Sequence, residues 1–446
     1  MARSLSASKR HIRNHWKVLC EEIGNRLRGT KNERRAAAYI EGRFENFGLQ
    51  NVHQHHFEFP DWNFSRCSVK VGQGRRRRRV PTAVPMAYSV STPARGVRGR
   101  LVYLEGGDRF NLDQETRGRV GLLIGSLSLG DPEVNRRLVR SGLAALLVVD
   151  VRNPYTWRIP AGGGPQWWDG YNIPTASISY YDAIALAREA ERVPLKVEVA
   201  IRARTFPATS QNVIGEVIGA QRPDQVLIIS AHYDCVWGNV GANDDASGTV
   251  LVLEMARLFA GRRPRRTIRF IAYGSEENLS VGAYLYMRSL TAKQRRGCIL
   301  AMQAGSIAGH IGRDWMGVTG PPGLADFAHR CWRRRAHPIE VQHQIEPYGD
   351  QFPMAIAGVP AIWFGRPSVQ PRNFWQHHSP HDHLANVSVE VAARTIDSTA
   401  DFLNRLATTA RLPYSPRIEG ASMREVRKVG KALYRHPWSV QEFRYR

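Results

Sequence analysis

Val226–Phe259 reads "VLIISAHYDCVWGNVGANDDASGTVLVLEMARLF". The opening aliphatic run has the length and character of a buried strand, and the closing stretch places Leu251, Glu254, Met255 and Leu258 at helical spacing. Between them lie His232, Asp234, Asp244, Asp245 and several glycines, so the chain leaves its core and at once presents polar, chemically competent side chains. The rhythm continues downstream. "RTIRFIAYG" (266–274), "CILAMQAG" (298–305) and "VPAIWFG" (359–365) each read as a strand followed by polar residues. Such alternation predicts an α/β fold with a mostly parallel central sheet and helices on both faces. In folds of that kind, ligands gather beyond the carboxyl ends of the strands.

Working outward, residues 8–48 read as helical, with Ala36, Ile40, Phe44 and Phe47 on one face and Gly48 as the stop. From about residue 55 the pattern becomes short and β-like. "GRLVYLEGG", "GRVGLLIGS" and "GLAALLVVD" then supply three apolar runs, with "DPEVNRRLVRSG" between the last two as a short helix. "YNIPTASISYYDAIALAREA" adds a strand and a helix. These features predict four segments: 1–95, the N-terminal helix and strands of the main domain; 96–200, a β-rich insert; 201–410, the core; and 411–446, a basic tail wrapped on the surface.

Composition limits the function classes. The chain has 446 residues, 43% hydrophobic, enough for a sizeable core. No apolar stretch is long enough to span a membrane, and the first residues lack the apolar segment of a secretory signal, which predicts a cytoplasmic protein. Cys20, Cys67, Cys235, Cys298 and Cys331 are dispersed and form no CxxC, as expected of reduced thiols rather than a disulfide framework or thiolate zinc site. The formal net charge is +24, but 55 of the 63 basic residues are arginines spread along the whole length. No recognition helix, RNA-binding signature or zinc finger accompanies them, so nucleic acid is not the expected partner. The run Arg75–Arg79 reads as a solvated loop between strands.

Polar clusters close the predicted strands: His232 and Asp234 with Asp244 and Asp245; Ser275, Glu276 and Glu277; Gln303; and "HHSPHDH", His377–His383. A single histidine or aspartate at a strand end is more often a cap or surface group than a ligand. Together they offer imidazole nitrogen and carboxylate oxygen, the ligand set of a catalytic zinc that keeps a position open for water. His53, His55 and His56 alternate along a strand and read as surface groups, Cys235 as a small buried residue, and Trp167 and Trp168 as a packed loop or an aromatic wall.

The linked motifs "HYD", "GANDDASG", "GSEE" and "HHSPHD" resemble the zinc aminopeptidases that include aminopeptidase Y and the secreted bacterial leucine aminopeptidases, with glutaminyl cyclases as more distant kin. The resemblance extends to "RLRGTKNERRAAAYI" (26–40) and "YGDQFPMAIAGVPA" (348–361), and the insert, with "SGLAALLVVD" and "IPTASIS", looks like a protease-associated domain. It implies a zinc exopeptidase-like fold and a zinc-dependent hydrolase that removes N-terminal residues from peptides through a metal-activated water. By position, His232 would bind one zinc, Asp244 would bridge two, and Glu277 with His378 would complete the other. Asp234 would orient His232, Glu276 would be the general base, Asp382 would support the ligands, and Asp350 matches a family carboxylate near the site.

At one ligand position the chain departs from this pattern. The family's strand corresponding to "CILAMQAGS" ends in an aspartate that shares its zinc with His232, whereas this chain has Gln303. A neutral amide brings no charge, so the resemblance implies one or two zincs with the His232 position weakened. His310 is a nearby substitute that reads as ordinary, and Asp314 is the next acid downstream. Gln303 leaves two further readings: a one-zinc acyltransferase of the glutaminyl cyclase type, or a non-catalytic peptide-binding protein on a decayed peptidase fold.

Overall fold

The computed structural model describes residues 5–72, 77–105, 116–124, 137–138, 140–149, 173–368 and 376–434. The chain divides into two compact units, Met1–Glu58 with Thr209–Leu433 and Phe59–Ala208 with Tyr434–Arg446. The expected insert, 96–200, falls inside the second unit and is narrower than it. The boundaries lie within two long strands, β1 (Gln50–Val71) and β8 (Lys196–Val217), at positions flanked by Pro60 and Pro207.

The N-terminal segment is helical but broken. Helix α1 (Lys9–Trp16), capped by Ser8 through the His11 N–H, runs into a π-helical turn at Lys17–Ile23. Helix α2 (Lys31–Phe47) starts afresh at Thr30, whose hydroxyl accepts from Glu33 N, and ends at Gly48 with φ of 78°.

In the second unit, after the short β3 (Val84–Pro85), the apolar runs form β4 (Val97–Tyr103), β5 (Val120–Ile124) and β6 (Ala145–Val149), followed by β7 (Thr175–Ser177) and helix α3 (Tyr180–Arg192). Strands β4 to β7 pair in parallel, and β8 pairs antiparallel with β4. Their inward faces bury Val120, Leu122, Leu147, Val149, Leu186 and Val197. Arg78 and Arg79 form a short strand, β2, paired with Val71 and Lys70 of β1, so this part of the arginine run is sheet rather than loop. The predicted helix at "DPEVNRRLVRSG" and both Trp167 and Trp168 lie largely or wholly outside the described residues.

The first unit carries β9 (Arg222–His232), helix α4 (Ala246–Phe259), β10 (Arg266–Tyr273), helices α5 (Val281–Ser289) and α6 (Ala292–Gly297), and β11 (Cys298–Ala304). It continues through β12 (Trp315–Thr319), α7 (Pro322–Arg334), β13 (Glu340–His343), α8 (Phe352–Ile356), β14 (Ala361–Gly365), α9 (Val389–Thr408) and α10 (Gly420–Leu433). The strand order is β13-β12-β14-β11-β9-β10-β8. The centre is parallel, with antiparallel pairs at β8–β10 and β12–β14.

Alternation along β9 divides the core between two faces. Leu227 and Ile229 join the layer containing Ile12, Trp16, Ile40, Phe44, α4 and Phe402, whereas Val226 and Ile228 face Ala283, Tyr286, Met287 and Met354. The expected doubly covered sheet is therefore present. Helix α4 is buried on nearly all sides, as a core helix must be when its sequence is apolar all round.

The C-terminal stretch, expected as a basic tail wrapped on the surface, contains a packed helix. Helix α10 buries Met423 and Val426, and a Cβ at Gly430 would lie 2.7 Å from Ile356 Cδ1, so the helix packs closely on α8. Residues 435–446 lie outside the described part.

Candidate metal centre

Strand β9 delivers His232 at its end, and the loop to α4 folds back beneath it. Arg26, fully buried, holds that loop by donating to the carbonyls of Tyr233 (2.6 Å), Val240 (2.8 Å) and Gly241 (3.2 Å) as well as Leu19 (3.0 Å). Gly241 has φ of 51°, and a Cβ there would sit 2.3 Å from the Asp244 carbonyl oxygen, so the turn excludes a side chain. Two adjacent acids then part ways. Asp245 caps α4, accepting from Gly248 N (2.9 Å) and Ser306 N (3.1 Å), while the Asp244 carboxylate faces the histidines.

Asp244 is the shared anion of the cluster. One oxygen lies 3.4 Å from His232 Nε2; the other lies 3.1 Å from His377 Nε2 and 3.4 Å from His378 Nε2. Glu277 reaches His378 Nε2 at 2.8 Å. Two sets of ligand atoms lie within 4.8 Å of one another: Asp244, His377 and His378, and His232, Asp244 and Glu277. Glu277 Oε1 is buried without a hydrogen-bond partner. An imidazole–carboxylate set of this size, with an orphaned carboxylate oxygen, fits a divalent cation of the zinc type.

Asp234 acts on several groups. Its carboxylate accepts from Glu276 N (2.9 Å) and Glu277 N (3.2 Å), fixing the turn that follows β10, and lies 3.5 Å from His232 Nδ1, whose nearer contact is the Asp234 carbonyl at 3.3 Å. Ser275, with φ of 57°, starts that turn. Glu276 accepts from Ser280 Oγ (3.2 Å) and stands 3.8 Å from His232 Nε2. Asp382 accepts from Asn243 N (2.6 Å) and Asp244 N (2.9 Å), so it positions the shared aspartate through the backbone.

The charges are mutually dependent. Burial pushes Glu276 up to about 7 against the pull of His232, with Glu277 and Asp234 adding to the rise. Asp382 is driven to about 7 by burial and by Asp244. His378 is raised to about 10 because Glu277 and Asp244 outweigh the cost of its burial. His232 is likewise raised, burial being overcome by Glu276, Asp234 and Asp244. Against burial, His377 and the hydrogen bonds from the three imidazoles hold Asp244 well below the usual carboxylate range. Positive charge is what this pocket demands, and protons on the imidazoles supply it when no metal does.

The structure thus gathers His232, Asp234, Asp244, Glu276, Glu277 and His378 at the ends of adjacent strands. Gln303 is nearby and buried, and its Oε1 accepts from Asp350 N. His310 is exposed, and Asp314 is committed to His337 (2.8 Å), Arg366 (3.0 Å) and Arg394 (2.9 Å). Cys235 is buried and its thiol is pushed up to about 12 by burial, which suits packing and not attack. All five cysteines are free. Sequence reading named His377 within its cluster without giving it a role, and missed Arg26; His377 stacks on His378 with ring centroids 3.7 Å apart, and the doubled histidine and the basic residue in "RLRGT" were the signals.

Residues 212–403 match the model of Peptidase family M28. The resemblance read from the motifs is borne out. Among curated relatives, Carboxypeptidase Q of Xenopus laevis is 27% identical over 287 residues, covering 60% of this chain and 59% of that one. The chain therefore spans less than two thirds of that relative's length. Aminopeptidase YwaD of Bacillus subtilis (strain 168) is 25% identical over 403 residues, 87% of this chain and 82% of that one. BSAP, a zinc aminopeptidase from Bacillus subtilis, has a solved structure that superposes with a TM-score of 0.75 at 20% identity, covering 94% of this chain and 100% of that chain. At that identity the likeness is one of fold. No helix among the described residues is long and apolar enough to cross a membrane.

Proposed function

We propose that the protein is a zinc-dependent aminopeptidase acting on peptides with a free N-terminus. The observation that carries this reading is the position of Asp244, shared between His232 on one side and His377, His378 and Glu277 on the other, with Glu276 next to it. Asp244, Glu277 and His378 would hold one ion, and His232 with Asp244 would border a second, weaker position. Zinc there would supply Lewis acidity and a water of lowered pKa. Glu276 takes the proton from the attacking water and returns it to the leaving amine. Asp234 orients His232 and, through two backbone N–H groups, sets the spacing of Glu276 and Glu277. The unit Phe59–Ala208 is the counterpart of the protease-associated insert in this reading.

The names of the relatives differ as to which end of a peptide is attacked, so the test must distinguish the ends. Zinc-loaded protein is assayed on aminoacyl substrates, on N-acetylated peptides with a free C-terminus, and for cyclisation of an N-terminal glutamine peptide. Release of the first residue that falls by a factor of about 10² to 10⁴ in Glu276→Gln supports the proposal. Hydrolysis confined to the acetylated peptides, or an unaltered rate in Glu276→Gln, refutes it. The engaged amide of Gln303 favours one second reading, a single-zinc enzyme of the glutaminyl cyclase type, which the cyclisation arm detects.

A further inference from the structure

Asp350 lies between β13 and α8 and is 1% exposed, yet both of its carboxylate oxygens lack a hydrogen-bond partner. Its backbone N–H is engaged, donating to Gln303 Oε1. The approach is enforced by Gly349, where φ is 140° and a Cβ would fall 2.3 Å from that same amide oxygen. The charged groups acting most strongly on Asp350 are Glu276, His232, Asp234 and Asp245, all within or bordering the metal centre. A buried carboxylate without partners, set among other carboxylates, calls for a cation.

Two cations could answer: a metal ion or a substrate ammonium. The described ligand-distance sets are Asp244–His377–His378 and His232–Asp244–Glu277, and Asp350 belongs to neither. In a peptide the terminal nitrogen is separated from the first carbonyl carbon by one Cα, a span of about 2.5 Å. A first carbonyl presented to Glu276 therefore brings its own ammonium into the same small volume. Gln303 can offer that ammonium no charge, and its Oε1 already accepts one hydrogen bond, from Asp350 N.

We propose that Asp350 is the anchor for the free α-ammonium group of the substrate, an ion pair that selects peptides with an unblocked N-terminus. This rests on the aminopeptidase reading. The amine stays protonated in this pair, and no covalent bond of the substrate is made or broken.

The test uses the full, zinc-loaded chain and a matched pair of probes: leucine hydroxamate and its counterpart lacking the amine. Calorimetric binding is measured for wild type, Asp350→Asn and Asp350→Glu, with zinc per chain determined by elemental mass spectrometry. The expected result is a loss of tenfold or more for the amine probe in Asp350→Asn, a change within about twofold for the other probe, unchanged zinc, and partial retention of the preference in Asp350→Glu. Asp350→Ser repeats the comparison if the Asn variant unfolds. Equal losses for both probes, or a fall in zinc content, overturn the assignment.

The outcomes also separate the anchor from the activity. A wild type that prefers the amine probe through Asp350 but hydrolyses no aminoacyl substrate removes the peptidase reading and leaves the anchor. Turnover with no preference between the probes does the reverse.

Discussion

The two sides of Asp244 are unequally furnished. On one side stand His378, His377 stacked on it, and Glu277, which touches His378 and also lies within ligand distance of His232; on the other stands His232, with a glutamine where the family pattern has an aspartate. The first side offers formal negative charge and two imidazoles, and the second offers one imidazole and a neutral amide whose oxygen is already engaged. Loss of a ligand need not leave a pocket idle. The uncommitted charge next to it, Asp350, becomes available for a different cation.

The comparison breaks completely if the shared anion is removed. Asp244→Asn is expected to abolish tight zinc binding on both sides and to reduce hydrolysis to background, checked by elemental analysis together with the aminoacyl assay. Retention of a full equivalent of zinc would show that the two sides do not depend on Asp244.

A smaller effect follows from protonation. His378 is raised to about 10 and His232 is also raised by their carboxylate neighbours, so without metal both carry protons near neutrality. An ion must displace them, and acid therefore opposes binding while base favours it. Zinc affinity should rise by about tenfold per pH unit for each proton displaced between pH 6 and 8, with matching proton release in buffers of different ionisation enthalpy. A pH-independent affinity would contradict this picture of the imidazoles.

The finest probe treats the sides separately. His377→Ala should weaken the tighter ion by roughly 10- to 100-fold, a loss of the size expected for groups that support a metal. Gln303→Asp should instead add affinity on the His232 side, seen as a second zinc per chain. If His377→Ala changes nothing and Gln303→Asp adds nothing, the asymmetry has no bearing on metal binding.

Much of the metal centre was legible in the sequence because its residues follow apolar runs, and a run that ends in polar residues marks the strand end where such sites form. His232, Glu276 and Glu277 are examples, placed at the ends of β9 and β10. Gln303 was legible as a departure but not as an acceptor for Asp350 N, since the partner is contributed from 47 residues away. The limits of the two compact units were not legible, because β1 and β8 run straight through them and leave only Pro60 and Pro207 as local signs. Helix α10 was hidden by Pro413 and Pro416 just before it, although Met423, Val426 and Gly430 recur at helical spacing. The π-helical turn after α1 has no pattern of its own, because the same apolar residues would suit an ordinary helix.

Arg26 gives the loop beneath His232 a tether that begins 207 residues earlier in the chain, at the Tyr233 carbonyl. The far N-terminal segment is thus a working part of the floor of the candidate metal centre, comparable to a keystone set from outside an arch. Clipping the chain between α1 and α2 would slacken the span carrying Asp244 while sparing every residue that could touch a metal, leaving a molecule intact in its chemistry but disarmed in its geometry.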